Sequence, residues 1–290
     1  MTGLLRRVRT TLSIRARRPV AALLDGEYAS VFHGRSLDFD DLRPYVAGDE
    51  LRDVDWRASA RTGTLMTRRF VARRQHTLVL LVETGRAMAA RAAGGEPKRD
   101  VAILAAGVLG YLAVRNGDRV GMLSRSGLAR PATGEAALER MLQTAHAEID
   151  EDAPPSDLAA RLADASRLLG RGRLLAVVAD DAPLGDDGLA LVRRLAARHE
   201  LLWVTVADAD LTDPALVPAG MRDIESAVPL PGMLRGRPAL RAEFARSVAE
   251  AARARAAALD RLGVANARIA SSADAVPALL TMIREHGRGR

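Results

Sequence analysis

The chain has 290 residues, with 43 basic against 36 acidic residues and a formal net charge of +7. The absence of cysteine excludes a disulfide framework and a thiolate metal site. The longest apolar run, residues 101–114, is shorter than the roughly 20 residues of a membrane span, and the amino terminus lacks a signal-peptide core, so we expect a soluble, cytoplasmic protein.

The first 18 residues form a basic segment with six arginines and no acidic residue. Leu5, Val8 and Leu12 recur at helical spacing, which favours a basic amphipathic helix. One interpretation is a solvated tail; the other is a surface for anionic lipid or nucleic acid. The second rests on charge, since residues 1–76 contain 15 arginines against 9 acidic residues.

Residues 19–76 are predicted to form a small β-rich region of short strands and turns. Turn signals occur at residues 33–35 (HGR) and 47–49 (AGD), and residues 64–71 are predicted to form a strand. Six of the nine aromatic residues of the chain fall in this region, enough for a small core of its own.

Residues 77–290 alternate between strand and helix patterns. This alternation predicts a three-layer α/β sandwich, a doubly wound, mostly parallel sheet with helices on both faces. The predicted strands are 77–82, 119–123, 174–179, 201–206 and 267–270, with 127–134 as a short hairpin or edge strand. The predicted helices are 98–115, 135–149, 156–169, 187–198, 237–262 and 274–285, and residues 207–236 are predicted to be surface loops.

The loops at the strand ends are the candidate sites, because ligands of a doubly wound sheet bind outside the carboxyl ends of its strands. Residues 83–88 (ETGRAM) follow the strand 77–82, and residues 180–181 follow the strand 174–179. Ser156 and Asp157 precede a helix. We expect these three loops to converge at one edge of the sheet.

Residues 39–70 interleave aspartate and arginine around a single tryptophan. The segment RPYVAGD at 43–49, followed by RDVDW at 52–56 and Ala60-Arg61, closely resembles the hallmark of domain-of-unknown-function family 58. The resemblance covers about residues 20–285 and implies a core of von Willebrand factor A type. The hallmark residues are Arg43, Tyr45, Gly48, Asp49, Arg52, Asp53, Asp55, Trp56 and Arg61.

Two roles are open for this cluster. Paired carboxylates such as Asp53 and Asp55 can perform acid/base chemistry. No histidine or cysteine accompanies them in the segment, however. We therefore favour a hydrogen-bonded ion-pair network that fixes the segment against the main domain.

The resemblance also implies a metal-ion-dependent adhesion site, in which hard oxygen ligands surround Mg²⁺. The family's Asp-x-Ser-x-Ser pattern falls on Glu83, Gly85 and Ala87, its threonine on Ser156 and its last aspartate on Asp180. Because Gly85 and Ala87 lack hydroxyl groups and Glu83 is longer than aspartate, we expect a degenerate site without a bound cofactor. Weak Mg²⁺ binding at Glu83, Ser156 and Asp180 is the alternative.

Purely structural roles are also open for these positions. Ser156 then caps a helix, Asp180 is a turn residue, and Glu83 pairs with Arg86 or another arginine.

For function, the resemblance implies a non-enzymatic adaptor that works with a MoxR-type AAA+ ATPase in chaperone-like assembly or maturation of a client complex. The sequence contains no Gly-rich phosphate loop, no His-Glu-x-x-His helix and no Gly-x-Ser-x-Gly elbow. The alternative is binding of nucleic acid or an anionic membrane surface through the arginine-rich amino terminus. Against it, the first 18 residues have no aromatic side chain for base stacking.

Overall fold

The computed structural model describes residues 3–14, 28, 41–46, 54–69, 75–211, 213, 222–229 and 237–288. The described strands are β1 (Asp41–Pro44), β2 (Met66–Arg69), β3 (Thr77–Val82), β4 (Arg119–Ser124), β5 (Gly127–Ala132), β6 (Leu174–Ala179), β7 (Glu200–Val206) and β8 (Ala265–Ile269). The described helices are α1 (Leu4–Ile14), α2 (Trp56–Thr62), α3 (Lys98–Arg115), α4 (Glu135–Glu148), α5 (Leu158–Leu168), α6 (Gly185–Ala196), α7 (Pro238–Arg261) and α8 (Ser272–Arg288).

The main sheet has six strands in the order β5-β4-β3-β6-β7-β8. Every neighbouring pair is parallel except β4 and β5, which are antiparallel. The strands β3 and β6 are buried along their whole length, as expected for parallel strands that are covered on both faces. The predicted doubly wound fold is confirmed, and β5 is the expected edge strand.

Helices cover both faces of this sheet and give it three layers. Side chains of a strand alternate between the two faces, and in β3 they divide accordingly. Leu78, Leu80 and Val82 belong to one core with α1, α3, α4 and α8. Val79 and Leu81 belong to the other core, with residues of α5, α6 and α7. No helix among the described residues is both long enough and apolar enough to cross a bilayer.

The predicted boundaries from residue 77 onward agree with the structure to within three residues, and 77–82, 98–115 and 174–179 agree at both ends. One local prediction is wrong. Ser156 does not cap α5; the carboxylate of Asp157 does, accepting a hydrogen bond of 2.9 Å from the backbone N–H of Ala160. Most of 207–236 lies outside the described residues.

The amino-terminal helix α1 packs against the main domain. Leu5, Val8 and Leu12 are buried in the same core as the apolar side chains of α3. The Glu139 carboxylate of α4 accepts hydrogen bonds of 2.8 Å from Leu4 N–H and 2.7 Å from Leu5 N–H, at the positive end of the helix. The solvated-tail interpretation is therefore wrong for residues 4–12.

The hallmark region forms a separate two-stranded antiparallel sheet of β1 and β2, with α2 between the two strands in the chain. Sequence patterns predicted strands and turns here but not α2. Asp55 begins this helix, because its carboxylate accepts a hydrogen bond of 3.0 Å from Ala58 N–H. Trp56 is 65% exposed and is not a core residue. The predicted turns at 33–35 and 47–49 lie outside the described residues.

Candidate functional site

The loop after β3 meets the loop before α5 at the carboxyl edge of the sheet. Arg86 N–H donates a hydrogen bond of 3.0 Å to Pro154 O, and Ala87 N–H donates one of 3.2 Å to Ser156 Oγ. A Cβ placed on Gly85 would lie 2.3 Å from Ser156 Oγ and 2.4 Å from Ser156 Cα. Only glycine allows this approach, so the predicted convergence of these two loops is confirmed.

Glu83 lies at the end of β3 and is only 2% exposed. Burial, and secondarily the charge of Asp180, raise its pKa to about 8, while the backbone N–H of Asp180 and the charge of Lys98 oppose this rise. Among the described residues, its Oε2 atom has no hydrogen-bond partner. The expected pairing with Arg86 is wrong, since the Arg86 Nε atom faces Glu225 Oε2 at 4.0 Å.

A buried ammonium lies beside Asp180, at the end of β6. The Nζ atom of Lys98 is 3.9 Å from Asp180 Oδ2 and 2.5 Å from Asp208 Oδ1. Asp180 Oδ1 also accepts a hydrogen bond of 3.1 Å from Ala182 N–H, which is the turn role considered for it. Asp180 therefore both shapes its loop and faces a cation.

The neighbouring Asp181 binds two arginines, one on α7 and one on the edge strand β8. Its carboxylate pairs with Arg255 of α7 and lies 2.5 Å from the Nη2 atom of Arg268, which belongs to β8. Burial alone would raise the pKa of Asp181, but the hydrogen bonds and charges of Arg268 and Arg255 outweigh it and lower the pKa. This carboxylate fixes the loop after β6 to α7 and β8.

A third acidic residue, Glu225, enters the site from the segment 222–229. Its Oε1 atom accepts hydrogen bonds of 3.0 Å from Ala87 N–H and 3.0 Å from Ser156 N–H. Within its own segment, Asp223 accepts hydrogen bonds from the N–H and O–H groups of Ser226, which form a local turn. The strand-end loops thus hold a carboxylate through backbone amides of two different loops.

Glu148, at the end of α4, accepts hydrogen bonds from residues at the same edge of the sheet. Its carboxylate accepts hydrogen bonds of 2.7 Å from Thr84 Oγ1 and 2.9 Å from Ser124 Oγ, and another from the hydroxyl of Ser126. Burial would raise its pKa, but these hydrogen bonds prevail and lower it. Glu148 therefore joins the loop after β3 to the loop after β4.

The residues present do not fit an octahedral Mg²⁺ ion. Gly85 has no room for a side chain, and Ala87 has no side-chain oxygen; its N–H group donates to Ser156 and Glu225. Within the described parts of the chain, no group of three or more acidic or histidine side chains is arranged to hold a metal ion. Mg²⁺ demands near-ideal oxygen geometry, which this edge does not supply.

The structure brings the five candidate positions together at one edge: Glu83, Gly85, Ala87, Ser156 and Asp180. The described hallmark residues lie instead on β1, just after β1, and on α2 with its N-cap Asp55. Gly48, Asp49, Arg52 and Asp53 are outside the described residues, as are the side chain of Arg43 and any network it makes.

Sequence reasoning missed Lys98, Asp208 and Glu225. Lys98 carried one signal, since it is the single lysine of a chain with 43 basic residues. No sequence signal marked Glu225 as a site residue, because it lies in a long irregular stretch without a periodic pattern.

Comparisons with known proteins agree with the hallmark motif. The family model described as "Protein of unknown function DUF58" matches residues 41–254. The uncharacterized proteins Rv1480 of Mycobacterium tuberculosis and Mb1516 of Mycobacterium bovis are each 31% identical over 245 residues, or 82% of this chain and 76% of theirs.

Two solved structures are similar at lower identity. The aerotolerance-related membrane protein from Bacteroides fragilis is 16% identical with a TM-score of 0.42, over 72% of this chain and 99% of that chain. A von Willebrand factor type A protein from Catenulispora acidiphila is 9% identical with a TM-score of 0.39, over 77% of this chain and 44% of that chain.

Proposed function

Because the chain belongs to the DUF58 family, we propose that it is a non-enzymatic adaptor whose strand-end loops bind a MoxR-type AAA+ ATPase. The ATPase supplies the energy, and the adaptor recruits a client complex for assembly or maturation. The proposal places the protein in the cytoplasm, because its partner hydrolyses ATP. The choice of a MoxR-type ATPase as the partner rests on the family resemblance. The choice of the strand-end loops as its binding surface rests on the geometry of the site.

The observation that carries the proposal is the contact between Glu225 and the backbone amides of Ala87 and Ser156. Two N–H groups from different loops point at one carboxylate oxygen, at 3.0 Å each. Charge-assisted hydrogen bonds of this kind are about twice as strong as neutral ones. The amides recognise a carboxylate irrespective of the chain that carries it, so an acidic side chain of a partner suits the same place.

Arg86 strengthens this interpretation. Its side chain is about one-third exposed and lies 4.0 Å from the second oxygen of Glu225. A guanidinium beside two convergent amides makes the surface selective for anionic groups. In this proposal Glu225 covers the site in the free protein, and the acidic side chain of the partner displaces it.

The test is direct binding between the purified full-length chain and a purified MoxR-type ATPase of the same organism, measured by biolayer interferometry with and without Mg-ATP. We expect binding that depends on nucleotide. Glu225→Ala should strengthen it several-fold because the competing carboxylate is gone, and Arg86→Glu should weaken it at least about tenfold. Glu243→Ala, which removes an exposed carboxylate from α7, is the matched control.

Two results would contradict the proposal. One is the absence of ATPase binding under every nucleotide condition. The other is binding that neither Glu225→Ala nor Arg86→Glu changes, which would leave the ATPase as a partner but place its binding surface elsewhere.

We do not propose the alternative of an anionic surface bound by the amino terminus. Arg7 of α1 already faces Glu96 at 3.7 Å and Asp100 at 3.6 Å, and Arg9 faces Glu135 at 3.6 Å. These carboxylates partly neutralise the helix charge that suggested nucleic acid or lipid. The apolar face of α1 is buried in the protein and is not available for a membrane.

A further inference from the structure

The chain has one lysine, and it lies inside the strand-end site. Lys98 is the only lysine among 43 basic residues; all the others are arginine. It begins α3, and its side chain is 1% exposed. An ammonium is a compact point charge, whereas a guanidinium is planar and carries five donors in a rigid fork. Lys98 therefore places a compact positive charge at a position that is almost wholly buried.

The ammonium of Lys98 connects acidic residues at the ends of neighbouring strands. Asp180 follows β6, and Asp208 lies just beyond β7. Their carboxylates are 3.9 Å and 2.5 Å from Nζ, respectively. Two adjacent strands of the sheet, β6 and β7, thus bring acidic groups to one cation.

Asp180 is largely buried, with 9% of its side chain exposed, and a buried carboxylate without a counter-charge is costly. A divalent ion is one solution, and the family resemblance implied it. At this site a divalent ion lacks ligands, since Gly85 and Ala87 provide no hydroxyl group and Gly85 has no space for one. Lys98 supplies a positive charge that is covalently attached to the fold.

We propose that the Lys98 ammonium takes the place of the divalent cation of the adhesion site. Its charge then stabilises the loops that carry Glu83, Ser156 and Asp180 without a bound metal. Lys98 balances the acidic charge within the site whichever partner binds there, so the test requires no partner.

The first measurement is Mn²⁺ binding to the full-length wild-type chain, followed by electron paramagnetic resonance. We expect no stoichiometric binding up to about 1 mM, the weak end of protein sites for divalent cations. One ion per chain bound below that concentration, and lost in Asp180→Asn, would overturn the proposal. Binding that persists in Asp180→Asn lies elsewhere on the protein and leaves the strand-end site metal-free, as proposed.

The second measurement is thermal unfolding of charge variants. Lys98→Met keeps much of the aliphatic volume but leaves Asp180 and Asp208 without their counter-charge, so Tm should fall by about 5–10 °C. The double variant Lys98→Met/Asp180→Asn should regain part of that loss, because the unpaired buried charge is removed. Arg91→Met, which removes an exposed cation near the same edge, should change Tm by less than about 2 °C.

An unchanged Tm in Lys98→Met would overturn the proposal, because the ammonium would then stabilise nothing. Should Lys98→Met fail to fold, the double variant decides. Recovery of folded protein on neutralising Asp180 supports the proposal, and failure to recover contradicts it.

Discussion

Gly85 and Ser156 approach each other so closely that a Cβ on Gly85 would lie 2.3 Å from Ser156 Oγ and 2.8 Å from Ser156 N. The contact joins the loop after β3 to the loop before α5. It also places the N–H groups of Ala87 and Ser156 where both reach the Glu225 carboxylate. The two loops can approach this closely because residue 85 is a glycine, with neither a side chain nor a hydroxyl group.

Restoring a serine at this position should harm the protein. In Gly85→Ser the new Cβ collides with backbone atoms of Ser156, which cannot rotate away as a side-chain tip would. We expect a loss of about 1–3 kcal/mol in the free energy of unfolding, typical of overpacking, measured by urea denaturation. Gly170→Ser is the control, since the nearest atom to a Cβ there is 4.0 Å away. Equal stability of the two variants would refute the close approach.

Glu83 should make stability depend on pH. Burial raises its folded-state pKa from 4.5 to about 8, so the folded protein holds this proton more tightly than the unfolded chain. Its stabilising contribution is complete below pH 4.5 and is lost as pH rises through about 8, at most about 5 kcal/mol in total. Denaturant unfolding between pH 5 and pH 9 measures this slope.

Glu83→Gln separates this contribution from the other titrating groups, because glutamine resembles the protonated acid. We expect the variant to lose most of the decline in stability between pH 5 and pH 8 and to exceed the wild type above pH 8. Glu243→Gln, exposed on α7, should retain the wild-type slope. A slope in Glu83→Gln that equals the wild-type slope would show that Glu83 is ionised in the folded state at neutral pH.

The apolar face of α1 should contribute to global stability. Leu12→Ala removes a side chain that is 2% exposed, so the free energy of unfolding should fall by about 2–4 kcal/mol. Arg6→Ala, on the exposed face of the same helix, should change it by less than about 0.5 kcal/mol. Urea unfolding of both variants distinguishes a docked helix from a loose tail, for which the two changes would be equally small.

Two adjacent hallmark residues should respond differently to alanine. Asp55→Ala removes the N-cap of α2 and should cost about 1 kcal/mol, with faster proteolysis around residues 54–69. Trp56→Ala should cost less than about 0.5 kcal/mol, because the side chain is 65% exposed. Thermal melts with limited proteolysis check both values.

Fluorescence gives an independent check on Trp56. The chain has two tryptophans, and Trp203 is 1% exposed. Iodide should therefore quench only the Trp56 fraction of the emission, and Trp56→Phe should abolish the quenching. Strong quenching in Trp56→Phe would mean that Trp203 is accessible.

Much of the fold was predictable because its signals are local. The run LLAVVA at 174–179 is apolar at every position, and β6 is buried at every position. The helix 98–115 ends where Asn116 and Gly117 follow, as its stop signal indicates. The helix α2 was missed because its seven residues WRASART show no apolar periodicity, and a side-chain cap together with a left-handed Gly63 define it instead.

The candidate site was predictable only in part. That Glu83 and Asp180 meet follows from the position of strand ends in a parallel sheet. The role of Ser156 was mistaken, because the cap of α5 depends on which of two adjacent polar side chains turns back toward the helix, and that role falls to Asp157. The partner of Arg86 was also mistaken, because Glu225 lies 139 residues further along the chain.

By itself, the sequence determined the order of strands and helices from residue 77 onward, the family hallmark and the loss of hydroxyl groups at Gly85 and Ala87. These properties depend on residue type and on spacing along the chain, and a linear pattern contains both. Only the tertiary structure decided that α1 docks on α3, that Lys98 provides the buried cation and that Glu225 occupies the two backbone amides. Those outcomes depend on distances between residues far apart in sequence, which packing of the whole chain sets.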